Sequence, residues 1–187
     1  MVQDGGSQVC KVDVAAKEAA ITRFLDEYPQ AADAGRGHPV LQGCEDVRWS
    51  DFSECPAGIP VLLHALLDRA AAPEAERVLS NCLHNGITAM NAAVPTVLPF
   101  LLGLAGDPQV PVRSELLGLL VVVAEFSESV DAGDEASILW FGSDSEHPER
   151  EQCRAVFMEH ASVVAALAEE LASSDHRAAL RQAAGLL

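Results

Sequence analysis

The chain has 187 residues, of which 28 are acidic and 12 basic, giving a formal net charge of −16. That length suits one domain or one compact array of repeats, and an apolar fraction of 49% argues against disorder throughout. The charge argues against nucleic acid as a partner, because phosphate binding needs clustered Lys and Arg, and it favours either a basic protein partner or simply high solubility.

The N-terminus, Met1-Val2-Gln3-Asp4-Gly5-Gly6, lacks the basic and apolar stretches of a signal peptide. The longest apolar run, Leu116 to Ala124, is only nine residues, against the roughly 18 needed to span a bilayer, so no membrane partner is expected. Five cysteines (Cys10, Cys44, Cys55, Cys82 and Cys153) are an odd number without framework spacing, which points to a reducing, cytoplasmic setting. Residues 1–47 read as an N-terminal helix and linker, and 48–187 as helical repeats.

Helical periodicity dominates from there. Between Pro56 and Ala70 the apolar positions Ile59, Leu62, Leu63, Leu66, Leu67 and Ala70 form one stripe, with Pro60 tolerable in the first turn. A second helix is predicted over 73–85, with Ala75, Val78, Leu79, Cys82 and Leu83 on one face and Gly86 as its C′ residue. The next carries Val94, Val97, Leu98, Leu101 and Leu102 and is bent by Pro99. A helix over 110–124 is apolar nearly all round and must be covered on more than one side. The C-terminal third predicts one helix over 154–172, a start signal at Ser173-Ser174-Asp175, and a last helix to Leu187. No strand is expected.

Arg77, Arg113 and Arg177 each fall early in the second helix of a predicted pair. The first two are 36 residues apart; the last two are 64 apart, or 37 once residues 125–151 are set aside. Near-equal periods predict a solenoid of helix pairs carrying one insertion. The insertion holds nine acidic residues and one arginine, a net of −8, around the apolar island Ile138-Leu139-Trp140-Phe141. Such a segment suits recognition, since aromatics anchor interfaces and carboxylates steer basic partners. The alternative is a clasp, with Trp140 folded back onto the solenoid. The clasp is expected for Trp140 itself, with the surrounding carboxylates facing the partner.

The run Asp107-Pro108-x-Val110-x-Val112-Arg113 resembles the HEAT repeat. The segment 48–187 resembles bacterial HEAT-repeat-like proteins of unassigned function. Trp49-Ser50-Asp51-Phe52 is similar to their Trp-led opening, His84-Asn85-Gly86 to their His-Gln-Gly stretch, and Ala93-Val94-Pro95 with Pro99-Phe100-Leu101 to their Val-Pro helix. Cys153-Arg154-Ala155-Val156 also resembles that group. The resemblance implies an all-α fold: a short right-handed α-solenoid of about three HEAT-like helix pairs, in which Asp and Arg of successive units form a polar ladder. It also implies that the last helix exposes an apolar end, open to a partner or to self-association.

Candidate binding residues are Trp49, Asp51, His64, His84, Asn85, Trp140 and Phe141. His84 and Asn85 either face a concave groove or cap a helix C-terminus. His64 is expected to border an exposed helix face, and His160 to lie on an inward stripe. No catalytic residues, metal or cofactor are assigned: the sequence holds no Gly-x-Ser-x-Gly elbow, phosphate loop or dinucleotide fingerprint, and its Cys/His spacings do not converge. The leading expectation is therefore a protein-binding scaffold, with an immunity or antitoxin-like or regulatory role toward a basic protein, rather than an enzyme. The alternative is a small-molecule binder or enzyme using the groove.

Overall fold

A computed structural model describes residues 13–86 and 89–187. Among these the regular structure is helical. It comprises α1 (Val14–Glu27), α2 (Ile59–Ala65), α3 (Ala72–Leu83), α4 (Val94–Gly106), α5 (Arg113–Phe126), α6 (Glu135–Phe141), α7 (Pro148–Glu159), α8 (Ala161–Glu169) and α9 (Ser174–Ala183). There is no strand among the described residues, only an isolated antiparallel bridge between His84 and Met90.

The helix pairs expected from the stripes are present: α2 packs on α3, α4 on α5 and α8 on α9. Between pairs, α4 meets α8 and α5 meets α9, so the second and third hairpins lie alongside each other. In α3, Ala75, Val78, Leu79, Cys82 and Leu83 are all buried, as the i, i+3, i+4 spacing requires. The helix α5 buries Leu116, Leu117, Leu119, Leu120, Val121, Val123 and Ala124, which leaves little of its girth to solvent. Pro99 lies inside α4, where it removes one backbone bond.

The arginine period has a physical counterpart in two of its three members. Arg113 Nε donates to the Ala105 carbonyl at the end of α4, at 2.6 Å. Arg177 Nη1 donates to the Leu171 carbonyl beyond α8, at 3.1 Å. Each arginine thus satisfies a carbonyl that the preceding helix leaves without an amide partner. A fourth arginine, Arg154 of α7, does the same for Ser127 beyond α5. Arg77 instead pairs with Glu74 on its own helix. At the Asp107–Arg113 run, Asp107 accepts from His38 at 3.3 Å and Arg113 grips Glu170.

Several expected boundaries move. The predicted 56–70 helix shrinks to α2, because Asp68 Oδ1 accepts from the amides of Ala70 and Ala71 and turns the chain. The predicted 110–124 helix starts at Arg113, after Pro111. Gly86 is not a C′ residue: α3 ends at Leu83 with His84 extended, Gly86 lies at φ 89°, and Asn85 N–H donates to Ala89 O at 2.9 Å. The single 154–172 helix is two, α7 and α8, broken at His160, which ends one and begins the other at φ −99°, ψ 22°. His160 is therefore a half-buried junction residue and not part of an inward stripe.

Residues 28–47 are more than a linker. They form 3₁₀ turns whose Ala31, Leu41 and Cys44 join the same core as Ile21 and Phe24 of α1 and Leu62 and Leu63 of α2. The helix α1 packs on α3, and the turn at 31–33 packs on α2.

Candidate functional site

The acidic segment between α5 and α7 is built around α6. Asp134 starts that helix, its carboxylate accepting from the amides of Ala136 and Ser137, both at 3.1 Å. Gly142, at φ 73°, ends it in a conformation that suits glycine. No residue of α6 is buried. Leu139 is 83% exposed and Trp140 70% exposed. The clasp expected of Trp140 is thus overturned, and the reason is that polar groups take its place. Arg150 of α7, itself buried, donates to the carbonyls of Phe141 and Gly142, at 3.2 Å for the latter. Asp144 accepts from the Val130 amide at 3.2 Å, pairs with Arg150 at 3.3 Å and meets Arg154 at 3.6 Å. Burial pushes the Asp144 carboxyl up, but the Val130 amide and the two guanidinium groups outweigh it and hold it below its ordinary value. The segment is knotted through its backbone, which leaves the indole free to face solvent.

Two cavities flank α6. One, of about 330 Å³, is lined by Glu125, Glu128, Asp131 and Asp134 together with Phe126 and Phe141. The other, of about 360 Å³, brings Asn85, Trp140 and Phe141 together with Met90, His147 and Glu149. Three of the residues expected at a binding site therefore line one cavity. Glu149, nearly buried, accepts from His147 Nδ1 at 2.8 Å.

Opposite α6, a network that sequence reading missed holds Asn85 and Asn91 in place. Lys17 of α1 is only 2% exposed, and its ammonium donates to Asn85 Oδ1 at 2.8 Å, Cys82 O at 3.0 Å and Glu54 O at 3.2 Å. It closes the C-terminal end of α3 with a cation, the favourable sign there. Burial lowers its pKa, while nearby thiol and carboxylate groups push the other way. Asn91, fully buried, donates to Ser53 O and to Asn85 Oδ1 and accepts from the Ala93 amide. The available signal was a lysine in register with Ile21 and Phe24 on the apolar face of α1, a placement that demands acceptors.

The other expected residues lie elsewhere. Trp49 is in the core at 3% exposure, with Nε1 donating to Cys44 O at 2.8 Å. Asp51 is exposed on a 3₁₀ turn. His64 does not border an exposed face: it is 7% exposed, with Nε2 3.6 Å from Cys44 Sγ and 3.4 Å from Glu45, because the 28–47 turns cover α2. Its Nδ1 lies against Gly35, where an added Cβ would approach to 2.8 Å. His84 donates from Nδ1 to Ser80 O at 2.7 Å, a helix-capping bond, and its ring meets Phe126 edge-on at 6.0 Å.

Cys44, Cys55, Cys82 and Cys153 are free thiols, all buried; Cys10 lies outside the described residues. Burial pushes Cys55 up to about 11 and Cys82 and Cys153 up to about 12, so none is a ready nucleophile. Among the described residues no group of three His, Cys, Asp or Glu is placed to hold a metal, and no helix is long and apolar enough to cross a membrane.

No family model, curated protein or solved structure matches this chain.

Proposed function

We propose that the chain is a protein-binding module of HEAT-like type, whose hairpins form a short right-handed solenoid and whose acidic segment recognises a basic protein. The stacking of α4 on α8 and of α5 on α9 supports the repeat reading. The observation that carries the function is the exposure of Leu139 and Trp140, adjacent large apolar side chains on a helix that buries nothing. Free proteins rarely leave such a pair uncovered without a binding role, and tryptophan at a protected centre is a common anchor of interfaces. The net of −8 over residues 125–151 would steer a basic partner toward that anchor. An antitoxin-like or regulatory role suits a module of this kind, and buried free thiols suit a cytoplasmic setting.

The small-molecule alternative has less support. The residues that would line one metabolite groove, Trp49, Asp51, His64, His84 and Asn85, are dispersed between the core, three separate cavities and an exposed turn.

The test uses the full chain and a Leu139→Ser/Trp140→Ala double variant as paired baits in extract of the cells that encode it. Proteins bound by the wild type and lost by the variant are identified by mass spectrometry. The expected result is a basic protein captured by the wild type alone and released as salt rises. Identical capture by both baits would remove the anchor, and with it this reading.

A further inference from the structure

Two chains of hydrogen bonds end at the cavity that Asn85, Trp140 and His147 line, and each leaves one group of opposite sense unpaired there. Asn85 Oδ1 accepts from the Lys17 ammonium at 2.8 Å and from Asn91 Nδ2 at 3.4 Å. An ammonium only donates, so the carboxamide has one orientation, with its NH₂ group turned away from Lys17. The backbone of Asn85 is tied as well, by its N–H to Ala89 O at 2.9 Å. His147 is fixed from the other side. Its Nδ1 lies 2.8 Å from Oε1 of Glu149, a residue only 7% exposed. A carboxylate on Nδ1 holds the proton there and makes Nε2 of the neutral ring an acceptor. The ring rests on Gly142, where an added Cβ would come within 2.7 Å of Nε2. Among the described residues neither Asn85 Nδ2 nor His147 Nε2 has a hydrogen-bond partner. The two carboxylates of the wall need no cation, since Glu149 is spent on His147 and Glu54 lies in the field of Lys17.

We propose that this cavity binds a small, uncharged, planar heterocycle that carries one carbonyl and one ring N–H, a cyclic amide. The carbonyl would accept from Asn85 Nδ2, the ring N–H would donate to His147 Nε2, and the ring itself would pack against Trp140, Met90 and Ala92. Both polar groups are held from behind before any ligand arrives, so binding would cost little ordering of the site. A volume of about 360 Å³ suits a ligand of one or two rings. An open-chain amide offers the same two groups but must give up rotational freedom to present them in one plane, which a ring does not. An anion is opposed by Glu54, Glu149 and the overall charge of −16. This ligand site is a second role beside partner binding and does not rest on it.

The test probes are quinolin-2-one and quinolin-4-one, which carry the carbonyl beside the ring N–H and across the ring from it, each compared with its N-methyl twin. The full chain is titrated with each and followed by amide chemical shifts. One quinolone or both should bind and move Asn85, Met90, Gly142 and His147, and methylating the ring nitrogen should weaken binding about tenfold, as loss of one hydrogen bond in a closed site implies. Asn85→Asp keeps an acceptor toward Lys17 and Asn91 and exchanges the donor for an oxygen, so it should weaken the quinolone about tenfold or more. Trp140→Ala leaves both polar groups and should weaken a quinolone and its twin by the same factor. Absence of binding by both quinolones at millimolar concentration, a twin that binds as well as its parent, or shifts mapped outside the cavity would overturn the inference. Equal binding of N-acetylglutamine amide would overturn it too, because the site would then read an open-chain amide of a protein. The comparison of twins uses the wild-type chain, so it decides even where Asn85→Asp fails to fold. It involves no partner protein, so its failure is distinct from failure of the capture experiment.

Discussion

The hairpin body and the acidic segment solve opposite problems with adjacent stretches of one chain. In the body, α4 and α5 place nearly every large apolar side chain in the core, and arginines from following helices satisfy the carbonyls left at helix ends. In the segment, α6 buries none of its residues, and Leu139 and Trp140 are exposed to water while Arg150 and Asp144 do the anchoring. Apolar content therefore stabilises one region and is withheld from stability in the other. Side chains held outside the core can be changed for binding at little cost to folding.

That contrast is sharpest when one aromatic is removed from each region. Phe157 of α7 is fully buried, and Phe157→Ala should cost about 3–5 kcal/mol in denaturant unfolding. Trp140→Ala should change stability by no more than about 0.5 kcal/mol, as expected of an exposed side chain. Equal losses from the two would erase the distinction between body and segment.

Lys17 comes next. Lys17→Met keeps the stem and removes three hydrogen bonds, leaving Cys82 O and Asn85 short of a donor, and should cost about 2–3 kcal/mol. The amides of Asn85 and Asn91 should then exchange faster, while those of α6, held through Arg150, should not.

Acid should act on the polar fastenings. Asp144, and Glu170 through the hydrogen bonds of Arg113, titrate below their ordinary values of 3.8 and 4.5 in the folded chain. As pH falls the unfolded chain binds these protons first, so the contribution is complete above the ordinary values and lost as pH drops through the depressed folded ones. The melting temperature of Asp144→Asn should therefore fall less steeply than that of the wild type below about pH 4. Parallel acid slopes would show that Asp144 is not a fastening. A smaller, purely kinetic sign concerns the thiols. At pH 8 a disulfide reagent should label at most one of the five cysteines in the folded chain and all five in denaturant.

The body was legible because burial imposes a period. The stripe of α3 and the girth of α5 follow directly from residue spacing, and the charge excess marked residues 125–151 as different. The break at His160 was not legible, since apolar residues continue on both sides without a glycine or proline to interrupt them. Lys17 binds Cys82 O across 65 residues, a distance over which no local pattern operates. Trp140 was misread for a different reason. Its hydrophobicity states that it is to be covered, and sequence alone does not distinguish a core from a partner as the cover. Asn85 was singled out apart from the Trp140–Phe141 pair; their meeting in one cavity depends on Gly142 and Arg150, whose roles are tertiary.

The Val130 amide lies 3.2 Å from Asp144 Oδ1, so residues 132–142 can be excised and the ends joined by a Gly-Gly link without stretching the chain. This variant removes α6 with Leu139, Trp140 and Phe141 while keeping the Asp144 fastening and every hairpin of the body. The most direct measurement is capture of the basic partner by this variant, alongside its melting curve. A self-sufficient body carrying a recognition arm predicts melting within about 4 °C of the wild type and no capture. A variant that still captures the partner, or one that no longer folds, would contradict it.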